Sequence, residues 1–144
     1  MIWHKGSFIY NLGPLSNIIY KKGLSHELKP LRKDPPLADG YCIIMTTTSS
    51  QAEANRLAEL LVTGKLAACV QSIPVTSTYT WQGKLAQESE WLLLIKTRAE
   101  QYQAIQEALL QAHAYDTPEI IQVPINRGSP SYLAWIEAQT QSNV

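Results

Sequence analysis

The stretch HAYDTPEII, residues 113–121, sets a histidine, a tyrosine and two carboxylates, Asp116 and Glu119, around a proline. Imidazole is the side chain most easily turned to proton transfer or metal ligation near neutral pH, and carboxylate oxygens suit harder cations. Cys42 and Cys69 add two thiols. Thiolate and imidazole together suit copper or zinc, but a tight site takes three or four ligands. After residue 40 the chain offers one histidine and two cysteines, so weak or interfacial binding is the most that this inventory supports. His113 is the main soft-metal candidate, with Cys69 or Glu119 as helper where assembly brings them near. Each has a plainer reading. Cys69 is equally a small apolar residue on a core strand. His113 stands where a helix ends, so its cation would also serve the helix dipole. Glu88 and Glu90 alternate and therefore face one side of a strand, where they also guard an edge against aggregation.

Other chemistries lack their parts. No Walker A loop and no GxGxxG is present, and no Ser, Thr or Cys has a visible base and orienter. No catalytic residue is assigned. The central strand WLLLIKT carries aliphatics where an RNA-recognition sheet needs stacking aromatics. Twelve basic and twelve acidic residues cancel, which removes the electrostatic case for nucleic-acid or membrane-surface binding.

These side chains need elements to hold them. At 144 residues with 45% hydrophobic content, the chain is sized for one domain with a real core. Residues 28–40, LKPLRKDPPLADG, are rich in proline and charge and read as the end of a poorly structured extension over residues 1–40. The dense, periodic part spans 41–144. YCIIMTT reads as a buried strand. Ser50 to Glu53 has capping-box spacing, and Ala54, Leu57, Ala58 and Leu61 stripe a helix that Gly64 ends. LAACVQSIPVTSTYTWQGK is a long strand whose Pro74 demands an edge or a bulge. Gln82-Gly83 turns it back into SEWLLLIKT. Thr97 to Glu100 repeats the capping box before a helix striped by Tyr102, Ile105, Leu109 and Ala112. PEIIQVPI, residues 118–125, makes a fourth strand, and Ser129-Pro130 opens a last helix. The order β-α-β-β-α-β plus a C-terminal helix is an α+β, ferredoxin-like arrangement in which the first strand lies between the third and fourth. Cys42 and Cys69 then sit on non-adjacent strands, which argues against a disulfide; with so few cysteines a reducing, cytoplasmic setting is expected. The long β2–β3 hairpin carries Tyr79 and Trp81 beyond the reach of two covering helices, and Trp91, Tyr132 and Trp135 add further aromatic surface. Burial between identical chains would hide the hairpin aromatics, whereas Trp91 and Trp135 also suit the chain's own core.

KLAACV, STYTWQGK, LLLIKT, HAYDTPEI and SYLAWI, in this order and spacing, resemble the signature blocks of the CutA family of divalent-cation tolerance proteins. The resemblance spans roughly Tyr41 to Gln139. It implies a homotrimer related in architecture to PII signalling proteins, linked to tolerance of copper and other divalent ions without an established enzymatic reaction. It also implies metal association at Cys69 and His113. A further metal-associated cysteine of some members falls near Thr46 here, which leaves this chain one soft donor fewer. A second reading is a PII-like sensor that binds a small anionic metabolite at subunit clefts, with Lys65, Lys84, Lys96 and Arg127 as candidate contacts.

Overall fold

The computed structural model describes residues 40–140, so the extension expected over 1–40 lies outside the described residues, Gly40 excepted. β1 (Tyr41–Thr48) is followed by α1 (Gln51–Thr63), β2 (Cys69–Trp81), β3 (Lys84–Arg98), a 3₁₀ turn (Ala99–Gln101), α2 (Tyr102–Ala112), β4 (Ile121–Pro124) and α3 (Pro130–Thr140). The strands form one antiparallel sheet in the order β2-β3-β1-β4. This is the ferredoxin-like topology expected from the sequence, with β1 between β3 and β4.

The period of two along β1 decides which side is core. Cys42, Ile44, Thr46 and Thr48 are fully buried, while the residues between them are half-buried. The buried set meets Leu93 and Ile95 of β3 and the stripes Ala54, Leu57, Leu61 of α1 and Ile105, Leu109 of α2. Both helices thus lie on one face. Burial pushes the Cys42 thiol up to about 11, so it stays protonated and behaves as a small apolar group. Trp91 packs against this core, whereas Trp135 does not. It stacks on Tyr132 at 5.6 Å on the outer side of α3.

Ser50 caps α1 as its spacing predicts, accepting the Glu53 N–H at 3.2 Å. The second capping box does not form. Thr97 is the last core-facing residue of β3, and its hydroxyl donates to the Leu66 carbonyl at 2.6 Å instead. A buried carbonyl left without a donor costs more than an uncapped helix start, so the hydroxyl goes there. Glu100 pairs with Arg98, and α2 begins through the 3₁₀ turn. At the end of α1, Gly64 keeps helical geometry at φ −74, and the left-handed residue is Lys65 at φ 56. Leu66 N–H to Leu61 and Lys65 N–H to Val62 complete the closing motif. The glycine serves by its size: a Cβ there would meet the Leu60 carbonyl at 3.0 Å.

Pro74 is accommodated because β2 is an edge strand, and the β2–β3 register runs unbroken from Cys69↔Lys96 to Trp81↔Lys84. Gln82 (φ 49) and Gly83 (φ 77) are both left-handed, the two-residue turn that matches strand twist. β4 is shorter than PEIIQVPI suggests: its ladder with β1 runs from Ile121 to Pro124, Ile125 adds one N–H bond to the Tyr41 carbonyl, and residues 118–120 belong to the preceding loop. Arg98 fastens α3, donating to the hydroxyl and carbonyl of Thr140 at 2.9 and 2.7 Å. Among the described residues, no helix is long and apolar enough to cross a membrane.

Candidate functional site

β1 ends at Thr48 opposite Trp91, but β2 and β3 continue past it as a two-stranded arm. The loop from Ala114 to Glu119 fills the step this leaves. Between arm and loop lies a cleft of about 660 Å³, lined by Thr47, Ser77, Tyr79, Trp81, Glu88 and Glu90 on the strands and Tyr115, Asp116, Thr117 and Glu119 on the loop. The alternation of β3 puts Glu88 and Glu90 on the side facing away from α1 and α2. The Tyr115 hydroxyl donates to Glu90 Oε1 at 2.7 Å and joins loop to arm. Burial and the Glu90 carboxylate hold the Tyr115 phenol well above its ordinary pKa, and hydrogen bonding to Glu88 raises that of Tyr79.

His113 is the C-cap of α2, its N–H bonded to the Leu109 carbonyl at 2.8 Å. Its ring works locally. The Tyr115 N–H points at Nδ1 at 3.0 Å, and since an amide only donates, Nδ1 is the unprotonated nitrogen. The proton therefore sits on Nε2, 3.2 Å from the hydroxyl of buried Thr46. Burial lowers the imidazole pKa, against opposing contributions from the Thr47 backbone and Glu53. The helix-dipole cation considered from sequence is thus disfavoured: desolvation wins. Arg56 of α1 pairs with Glu53 and ties α1 to the end of α2, donating to the Ala112 carbonyl at 2.5 Å.

The candidate ligands are not brought together. Cys69 pairs across β3 with Lys96, which pairs with Ile43, so the thiol belongs to the face opposite Thr46 and His113. Two strands and three residues also separate Cys69 from Thr46, roughly 14 Å by ordinary sheet spacing. Glu119 is exposed at the cleft rim. Among the described residues, no group of three or more His, Cys, Asp or Glu converges as a metal site, and both described cysteines are free. With both imidazole nitrogens engaged, one chain does not fit a closed soft-metal centre. The proposed anion contacts are scattered as well. Lys65 closes α1, Lys84 flanks the turn, Lys96 donates to Gln71, and none of these or Arg127 lines the cleft.

Residues 42–139 match the family model described as CutA1 divalent ion tolerance protein. The chain belongs to the CutA1 family. It is 43% identical over 106 residues to the divalent-cation tolerance protein CutA of Pectobacterium atrosepticum, covering 73% of this chain and 96% of that one. The CutA structure from Xylella fastidiosa is 38% identical with a TM-score of 0.70, over 72% of this chain and 100% of the other. The periplasmic divalent cation tolerance protein CutA from Archaeoglobus fulgidus is 36% identical with a TM-score of 0.69, over 70% and 99%. The matched stretch holds every residue of the cleft. Sequence reasoning paired Glu88 with Glu90 but missed their partners Tyr79 and Tyr115. Glu90 and Tyr115 lie 25 residues apart, and the usable signal was the hairpin's length, which carries Glu90 beyond β1 to meet the loop.

Proposed function

We propose that this protein acts in divalent-cation tolerance as a non-enzymatic homotrimer that binds a divalent ion, copper foremost, weakly. The observation that carries this reading is the lining of the cleft: four carboxylates, with no basic side chain among the described residues. Such a site attracts cations and repels anions. His113 lies outside the cleft lining, so weak ligation by His113 and Glu119 is the most these donors support, since the imidazole must first give up an internal hydrogen bond. Cys69 takes part only through a neighbouring copy. Free thiols favour a reducing compartment, in keeping with a cytoplasmic setting.

The second face of the sheet supports assembly. Ile43, Met45, Leu92, Leu94, Ile121 and Val123 lie in register on the side away from α1 and α2, and exposed Ile73, opposite Leu92, extends the surface onto β2. An antiparallel sheet that is apolar on both faces needs a second cover, which other copies of the chain provide.

Titration calorimetry with Cu²⁺ on wild type and His113→Ala tests the metal reading. At least about tenfold weaker binding by the variant is expected, ~1.4 kcal/mol; equal affinities would remove His113 from the site. Light scattering on the same samples is expected to give three times the chain mass, and a stable monomer would refute the trimer. The runner-up reading is a sensor of anionic metabolites at subunit clefts. It predicts thermal stabilisation by nucleotides or carboxylates that Lys96→Ala abolishes.

A further inference from the structure

The cleft has a chemistry that divalent-ion binding does not use. In a single chain Trp81 is 61% exposed and the ring of Tyr79 beside it is also open, so both are free for a ligand where the assembled copies leave the cleft uncovered. Both line the cleft with the Tyr115 ring and a carboxylate floor. At the floor is Glu90, only 8% exposed. Its Oε1 takes the Tyr115 hydroxyl, whereas Oε2 takes no hydrogen bond from the described residues. No buried side-chain oxygen among the described residues lacks a partner, so Oε2 keeps some open surface. Because Glu90 lines the cleft, that surface opens into it. A carboxylate withdrawn from water with half of its acceptor capacity unused favours a counter-charge that can reach it.

We infer that this cleft binds a small organic ammonium ion, the charged head over the Trp81 and Tyr79 rings and against Glu90 and Glu88, the carbon stem along the aromatic wall. Three observations select this class. The carboxylates exclude an anion. A tightly held divalent ion takes several converging protein ligands, and among the described residues no three acidic side chains converge as a metal site, so the cleft offers such an ion only weak binding. Aromatic faces, which cannot replace the water shell of a small ion, do attract large, weakly hydrated cations such as alkylammonium. The volume, about 660 Å³, is in the range of small-molecule sites. The inference shares the cleft with the metal reading but does not depend on it, since its ligand needs neither His113 nor Cys69.

The test is titration calorimetry on the full-length protein in its native assembly, with choline and putrescine as probes. 3,3-Dimethyl-1-butanol serves as the neutral, isosteric control for choline, and Cu²⁺ is titrated separately. The expected result is saturable binding of at least one ammonium, with the neutral isostere at least tenfold weaker. Glu90→Gln, which keeps an acceptor for Tyr115, is expected to weaken the ammonium at least tenfold with the mass unchanged. Trp81→Leu, a second and independent variant on the exposed arm, is expected to weaken it several-fold while Trp81→Phe restores most of the loss. No saturable ammonium binding, equal binding of the isostere, or wild-type affinity in both Glu90→Gln and Trp81→Leu would overturn the inference. Copper heat without ammonium heat would leave the metal reading standing alone, and ammonium heat without copper heat would do the reverse.

Discussion

The two faces of the sheet are made from the same strands, yet they solve opposite problems. On the face under α1 and α2, every second residue of β1 is fully buried and even the polar members find partners within the chain: Thr46 with His113, Thr48 with the Ser50 carbonyl, Thr97 with the Leu66 carbonyl. On the other face, Ile43, Met45, Leu92 and Leu94 are only half covered, and Lys96 reaches sideways to Gln71. One face is finished by its own chain. The other is apolar enough to require company, and it runs out along the arm into the acidic, aromatic cleft. Stability and recognition are thus divided by the parity of residue number along each strand.

The division can be broken most severely from the finished side. Ile95→Ala removes a fully buried side chain from the centre of β3 and should cost about 2–5 kcal/mol in denaturant unfolding. A loss below ~1 kcal/mol would mean that this face is not the core. One residue earlier, Leu94→Glu puts a charge on the open face. It should leave the circular dichroism of the folded chain in place while the mass in solution drops from that of the proposed trimer to that of one chain; an undiminished mass would move the interface elsewhere.

Thr97→Val sharpens the same contrast at a polar position, because the Leu66 carbonyl loses its donor while the shape is kept. We expect about 1–3 kcal/mol, against about 1 kcal/mol for Ser50→Ala at the cap that does form. Equal or reversed losses would show that the Thr97 bond is incidental. The smallest effect is a pH dependence. His113 has a lowered folded pKa, so its neutral form is the one that folding favours. Stability from this group is full above the unfolded value of ~6.5 and declines as pH falls through that value toward the folded pKa, where the native imidazole finally takes its proton. In His113→Asn that part of the decline should be missing from melts between about pH 7 and 5. Parallel curves for variant and wild type would place the titrating group elsewhere.

The element order, the edge position of Pro74 and the Gln82-Gly83 turn were legible in the sequence, because each follows from short-range rules of period, proline and glycine. The two capping boxes mark where such rules stop. Ser50 and Thr97 have the same local spacing to a glutamate, but Thr97 is buried against a carbonyl 31 residues away, and only the tertiary fold reveals it. The candidate site divides in the same way. HAYDTPEII announced a junction rich in donors, yet the Thr46 contact that helps fix the proton on the His113 ring spans 67 residues. Cys69 was placed on the correct strand, while the face its side chain takes followed only from the register with Lys96.

The hairpin also sets a clock. β2 and β3 pair in register around a two-residue turn, so each new pair closes next to one already made, and such zippering is a matter of ~1–10 μs. β4 has the opposite history: four residues, all exposed, that must find residues 42–45 of β1 across more than half of the described chain. Closing that distance costs entropy before any contact is made. The arm that carries half of the cleft is therefore expected to form early in folding, and β4 to dock late. Native-state amide exchange should read this directly, with slow exchange along Leu93 to Thr97 and rapid exchange at Gln122 and Val123.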